Sequence, residues 1–439
     1  MPGKTNKSPF QNTGLDGLPQ GLKDALQFPL MDSIMGRRSR RFPVGAEIPD
    51  GPLKFASKKS ALPLTELEQM IILSSVSGNT GWFNLIPFNK EYLPHIPNYS
   101  CRSGGRTFPS GAGFHTTEIF YTDDNGTYFF PTRDAPSLTD DSENPMELSD
   151  YLNAHKSRII KLSDGRMEIP RVHDHMEVHN HWCANVPGST LIIPVADIAQ
   201  HHIGILMYLV QNGKCIFDDI NKTNIPGLEK FSTLVDTENP FPMSFVEQMS
   251  LNCTTVETST ACYAGNLMQQ AMGLGGWLFN GINVFSILGI CGDHDVPGLG
   301  FRADMKDGWS VPNPTGRSGV FEAYCPPHYR DMREAVEALA RVKFGDGGPY
   351  NPETDGPYID TAKVRGAGEV YSQEFKDCVA TMAQYVYDTF GKFPATVPSI
   401  GVTLYLQTHH LDTDFHDEHF TEGSYLETHA EHMNRWHNG

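Results

Sequence analysis

Positive charge is scarce in this chain. Its 34 Lys and Arg are outnumbered by 52 Asp and Glu, a formal net charge of −18. A phosphate backbone or an anionic membrane surface needs a basic face to meet it, so neither is an expected partner. The 8 cysteines are scattered with no Cys-x-x-Cys pair. In a chain of 439 residues that spacing points to reduced, buried thiols rather than a disulfide framework or a zinc-thiolate site. Long apolar runs are missing too. The most apolar window, Leu191 to Val210, is interrupted by Pro194, Asp197, Gln200, His201 and His202, which reads as buried soluble structure. Met1 to Lys7 have no apolar stretch of a secretory signal, so the cytoplasm is the expected location. Internal repeats and low-complexity linkers are absent.

A hydrophobic fraction of 39% with 10% aromatics is enough for a substantial core. Residues 1–30 read as a polar arm, followed by a short helix ending near Met35-Gly36. Leu64 to Leu73 has Thr65 followed three residues later by Glu68, a capping box, with apolar residues at helical spacing. After loops carrying Pro87, Pro94 and Pro97, a hairpin is expected: Thr117 to Thr122, the turn Asp123-Asp124-Asn125-Gly126, then Thr127 to Phe130. Residues 131–250 form a mosaic of loops, a histidine-rich segment and the apolar run. Thr258 to Phe279 reads as a long helix, closed by Gly273-Leu274-Gly275-Gly276. Helices over 328–344 and 372–390 follow, then a strand over 400–407 and a histidine- and acid-rich tail, 401–439.

Three segments carry candidate cofactor chemistry. Arg37-Arg38-Ser39-Arg40-Arg41-Phe42 sets cationic forks beside a hydroxyl. In an extended chain Arg37, Ser39 and Arg41 point the same way and suit a phosphate, although arginine-rich helix ends are also ordinary solvated surface. Arg106 to His115 contains the turn Pro109-Ser110-Gly111, whose small residues let backbone approach something flat. The small-residue helix Thr260 to Gly275 permits close packing on a planar ligand, and equally on another helix with a glycine cap.

The order of these landmarks resembles the nitroreductase-like flavoprotein family. Arg-Arg-Ser-x-Arg-Phe comes first, then a Leu-Thr-x-x-Glu-Leu-type helix, here Leu64-Thr65-Glu66-Leu67-Glu68-Gln69. Pro-Ser-Gly-x-Gly before Glu118-Ile119-Phe120-Tyr121 follows, and Asn-Leu-x-x-x-Ala-x-Gly-Leu-Gly comes last. The form of Arg106 to His115 is most similar to the azoline (thiazole/oxazole) dehydrogenase branch. The resemblance covers roughly 31–130 and 255–290. It implies an α+β fold with a mainly antiparallel sheet flanked by helices, in an intertwined homodimer with FMN at the subunit interface. It divides the chain into an arm (1–30), a first part of the core (31–130), an insertion forming a lid or substrate region (131–250), a second part of the core (251–400) and a C-terminal extension (401–439). By the same resemblance Arg37, Arg38, Ser39 and Arg41 take phosphate and ribityl, and Pro109, Ser110 and Gly111 line the isoalloxazine. Leu274, between Gly273 and Gly275, packs beside the flavin, and Arg317 is the candidate for completing the phosphate site. The activity implied is hydride or electron transfer between NAD(P)H or an organic substrate and an oxidised small molecule, with chemistry that belongs to the flavin. The missing Gly-x-Gly-x-x-Gly agrees, because the family does not use the dinucleotide fold.

Histidine supplies a competing signal. Thirteen of 18 histidines fall in two clusters, six between His173 and His202 and seven from His409 on. In His173-Asp174-His175-Met176-Glu177-Val178-His179-Asn180-His181, the residues His173, His175, Glu177, His179 and His181 share one face if extended. If helical, His175 and His179 stand one turn apart. Either geometry suits a nitrogen/oxygen metal site, and His409 to His419 offers further ligands. The alternative function is thus a metal-dependent enzyme or metal-binding protein on the same scaffold without flavin. The equally available reading is a polar surface whose histidines hydrogen-bond their neighbours. Serines lack His and Asp partners in recognisable order, and Cys325-Pro326-Pro327-His328 reads as a proline-braced turn.

Overall fold

A computed structural model describes residues 10–11, 17–83, 99–135, 138, 146–402 and 404–437. The first nine residues of the expected arm and the Pro87, Pro94 and Pro97 loops lie outside these.

The centre of the molecule is an antiparallel sheet. Its strands are β1 (Thr117–Asp123), β2 (Gly126–Phe130), β3 (Ile160–Asp164), β4 (Thr190–Asp197), β5 (Gly275–Phe279), β6 (Ile400–Gly401) and β7 (Tyr405–His409). They run in the order β5-β7-β4-β1-β2-β3, with β6 paired to the far end of β4. Every pairing is antiparallel. The β1–β2 hairpin forms where expected. Asp123 faces Gly126 across a two-residue turn, and its Oδ1 accepts from Asn125 N (2.8 Å) and Gly126 N (3.1 Å), the Asx bond that favours such turns.

Both faces of the sheet are covered, and the period of 2 shows it. Leu191, Ile193 and Val195 of β4 and Phe120 of β1 belong to one core, whereas Ile192, Ile119 and Tyr121 belong to the other. The first core is closed by helices supplying Ile203 and Leu206, Val336 and Leu339, and Val379 and Met382. The second is closed by Ile72, Leu73 and Val76 with Ala261, Cys262 and Met272. In chain order the helices that matter are α1 (Gln20–Gln27), α2 (Leu30–Met35), α3 (Glu66–Ser77), α4 (Ile198–Gln211), α5 (Met243–Met272), α6 (Met332–Phe344), α7 (Gln373–Phe390) and α8 (His432–His437). The capping box at the start of α3 is formed as expected: Thr65 accepts from Glu68 N, and Glu68 accepts from Thr65 N.

Three differences from the sequence reading have physical reasons. The long helix starts at Met243, fifteen residues before the expected Thr258, because its first half mixes Ser, Thr and Asn that mask helical spacing. It ends at Met272, where Gly273 takes φ +75°, and Trp277-Leu278-Phe279 then alternate faces as β5. Residues 131–250, expected as an insertion, supply β4 in the middle of the sheet. Residues 20–27 of the expected arm form α1, which buries Leu22. No helix among the described residues is long and apolar enough to cross a membrane.

Candidate functional site

The arginine segment leads from the end of α2 into a bridge, at Arg40, with the glycine segment that starts β5. Arg40 N donates to Gly276 O (3.2 Å), and Gly276 N donates to Arg40 O (2.9 Å). Two of the three expected cofactor segments, more than 230 residues apart in sequence, therefore lie side by side. Alternation sorts their side chains. Ser39 and Arg41 are exposed, and the Arg41 guanidinium sits 5.7 Å from the Trp277 ring. Arg37 is half-buried, and exposed Arg38 donates to the Met35 and Arg37 carbonyls. Arg40, on the opposite face, is buried and donates to Gln270 Oε1 (2.6 Å), Ser424 O (3.0 Å) and Gly36 O (3.2 Å).

The flanking glycines are filled by this chain's own tail. A Cβ on Gly273 would stand 2.0 Å from Thr428 O, and one on Gly275 would stand 2.7 Å from His409 Nε2. Their small size is thus accounted for by contacts with residues 409–428.

The Pro109-Ser110-Gly111 turn packs against the middle of α5. Ser110 Oγ donates to Glu257 Oε1, while Glu257 Oε2 accepts from Thr116 N (2.8 Å), Thr116 Oγ1 (3.0 Å), Thr117 N (3.1 Å) and Thr117 Oγ1 (3.0 Å). Burial raises the pKa of Glu257 and these donors oppose the shift. The helical positions that hold the turn (Glu257) and the arginine segment (Gln270) are about 20 Å apart along α5. Within one chain the turn and the arginine row are not brought together.

Behind the turn lies His201, which the sequence showed as a break in an apolar run and as a member of the first histidine cluster. It is fully buried against Phe114 (4.7 Å), and neither ring nitrogen has a hydrogen-bond partner. Burial pulls its pKa down to about 4. The unfolded chain therefore takes up a proton below pH 6.5 that the folded chain refuses, and stability is lost as the pH falls from 6.5 towards 4, by roughly 1.4 kcal/mol per pH unit. His201→Phe removes two orphaned polar atoms. We expect it to stabilise the protein by about 1–2 kcal/mol at pH 7 and to flatten the acid limb of a urea-unfolding series between pH 6.5 and 4. An unchanged acid limb would show that His201 is not held neutral.

The first histidine cluster does not converge. Residues 173–181 form turns and a short 3-10 turn, Val178–Asn180. His173 faces Glu177 on the surface (3.6 Å), His175 bonds Ser286 Oγ (2.9 Å), His181 bonds Met176 O (3.0 Å), and His179 is exposed. Arg317 donates to the Leu299 carbonyl (3.0 Å).

The second cluster does converge, on a residue recognised in the sequence only as a helix cap. Glu68, His410, His432 and His437 bring ligand atoms within 4.8 Å of one another, and among the described residues no other group of three or more His, Cys, Asp or Glu does so. Glu68 and His410 are essentially inaccessible, His432 nearly so, and His437 is partly buried. Nothing local in the sequence announces this set, because Glu68 stands 342 residues before His410.

No family model matches the chain, and no curated protein matches it. A solved structure of a candidate nitroreductase from Ralstonia eutropha JMP134 aligns with 58% of this chain and 72% of its own, at 11% identity and a TM-score of 0.26.

Proposed function

We propose that the protein is an FMN-dependent oxidoreductase of nitroreductase-like type that works as a homodimer. The observation that carries this reading is the bridge between Arg40 and Gly276, which sets the exposed Ser39 and Arg41 beside the start of β5. An extended row of guanidinium groups and a hydroxyl is chemically suited to a flavin phosphate. Bound FMN would supply hydride transfer, with NAD(P)H or an organic substrate as donor and an oxidised small molecule as acceptor. This chain's residues would hold the phosphate and shield the ring. The form of Arg106 to His115 makes azoline compounds the first substrates to try.

The 20 Å between the arginine row and the Pro109–Gly111 turn supports a dimeric site. The solvent face of α5 between them carries exposed Tyr263, with exposed Val256 and Phe245 further along. Antiparallel pairing of two copies of α5 about a twofold axis at Tyr263 would set the turn of one protomer beside the arginine row of its partner. Such exposed apolar side chains at helical spacing suit a subunit contact.

Wild-type protein mixed with FMN and desalted is expected to stay yellow and to sediment as a dimer. Ser39→Ala should weaken FMN about tenfold through loss of one charge-assisted bond. Tyr263→Glu should sediment as a monomer and lose the flavin. A colourless protein that releases FMN on desalting sinks the reading, and a flavin-retaining monomer sinks its dimeric form.

A further inference from the structure

Three imidazole Nε2 atoms point at one carboxylate oxygen. Glu68 Oε1 lies 2.9 Å from His432 Nε2, 3.2 Å from His437 Nε2 and 3.4 Å from His410 Nε2. The other carboxylate oxygen, Oε2, is occupied by Thr65 N (2.7 Å) and Thr65 Oγ1 (2.8 Å), so Oε1 alone faces the histidines.

The far side of two rings fixes their protons. His410 Nδ1 lies 2.9 Å from Leu62 O, and His432 Nδ1 lies 2.8 Å from Met272 O. A carbonyl oxygen only accepts, so both Nδ1 atoms carry hydrogen, and in the neutral ring both Nε2 atoms are bare. Bare nitrogens crowded on a buried carboxylate repel it. Protonating all three rings would instead gather three cations around one anion out of water, a costly arrangement. Moreover, the 2.9 Å contact of His432 Nε2 is not aligned as a hydrogen bond. One divalent cation satisfies all four atoms together.

We propose that Glu68, His410, His432 and His437 bind a single Zn²⁺. With bonds of about 2.0–2.1 Å, the edges of a tetrahedral zinc site are about 3.3–3.4 Å long. The three distances from Glu68 Oε1 lie within about 0.5 Å of that length, and all four ligand atoms lie within 4.8 Å of one another. The backbone partners Leu62 O and Met272 O, with Thr65 on the carboxylate, are the outer hydrogen bonds that orient metal ligands. Four protein ligands leave no open position, which makes the ion structural. It ties the first turn of α3 to the residue after β7 and to α8, clasping the C-terminal tail onto the sheet layer. This inference is independent of the flavin reading.

Metal analysis of the full chain, stripped with chelator and reloaded with equimolar Zn²⁺ before desalting, tests it. The expected result is one zinc per chain, a melting temperature that falls by several degrees on chelation and recovers with Zn²⁺, and a Co²⁺ derivative with tetrahedral visible bands. His437→Gln, at the most accessible ligand, should weaken Zn²⁺ by more than the roughly 10–100-fold typical of outer-shell changes. Glu68→Gln keeps an acceptor for the capping bonds to Thr65 and should weaken it similarly, with an unchanged far-UV spectrum. Wild-type protein that retains no stoichiometric zinc overturns the site, as do octahedral Co²⁺ bands or full zinc retention in both variants.

Discussion

Glu257→Ala is expected to cost about 4 kcal/mol or more, a large part of the roughly 5–15 kcal/mol that holds a domain together. Five donors converge on this carboxylate. The three hydroxyls can rotate towards other acceptors, but the backbone N–H groups of Thr116 and Thr117 cannot, and each orphaned buried donor costs about 1–3 kcal/mol. Alanine also leaves a void in the middle of α5, where the Pro109–Gly111 turn rests. Glu257→Gln keeps one acceptor oxygen but presents an NH2 group to the remaining donors, so an intermediate loss of about 2 kcal/mol is expected. Urea unfolding followed by circular dichroism reads both, as a fall in midpoint at constant slope. A loss below about 1 kcal/mol for the alanine variant would mean that water replaces the carboxylate.

Gly273→Ala is the second large effect. The residue caps α5 at φ +75°, a conformation that costs an L side chain about 1–2 kcal/mol by itself. The added methyl would also meet backbone, 2.0 Å from Thr428 O and 2.9 Å from His429 N. Neither atom belongs to a flexible side chain, so the tail must move as a unit. We expect a total loss of about 3–4 kcal/mol and, before global unfolding, release of the segment around Trp436, which packs its ring on Gly21. Limited proteolysis should cut the variant within residues 420–437 at a protease level that leaves the wild type whole. Equal resistance in the two proteins would show that the tail accommodates the methyl.

Local chemistry was the readable part. Thr65 and Glu68 stand three residues apart and mark the start of α3, and the turn from Asp123 to Gly126 closes the β1–β2 hairpin, because both signals act over fewer than five residues. The boundary of α5 was less readable, since the Ser- and Thr-rich half of the helix is held by tertiary contacts rather than by its own propensity. The candidate sites were legible in fragments. The arginine row was visible as a motif, but the juxtaposition of Arg40 with Gly276 depends on a strand pairing that no local pattern encodes. Histidine density pointed at both clusters alike. Only the fold separates them, because residues 173–181 turn outward, whereas His410, His432 and His437 surround a carboxylate that had already been assigned a different task.

The position of β7 has a consequence for how the protein is made. This strand, residues 405–409, sits between β4 and β5, and the Gln407 side chain bonds backbone at Cys183 and Asn185, more than 220 residues earlier. Until residue 409 has left the ribosome, β4 and β5 each present an unpaired hydrogen-bonding edge, and two buried layers have no strand to join them. The nascent chain therefore carries these two open edges through nearly its whole synthesis, a long interval in which edge-to-edge aggregation competes with folding.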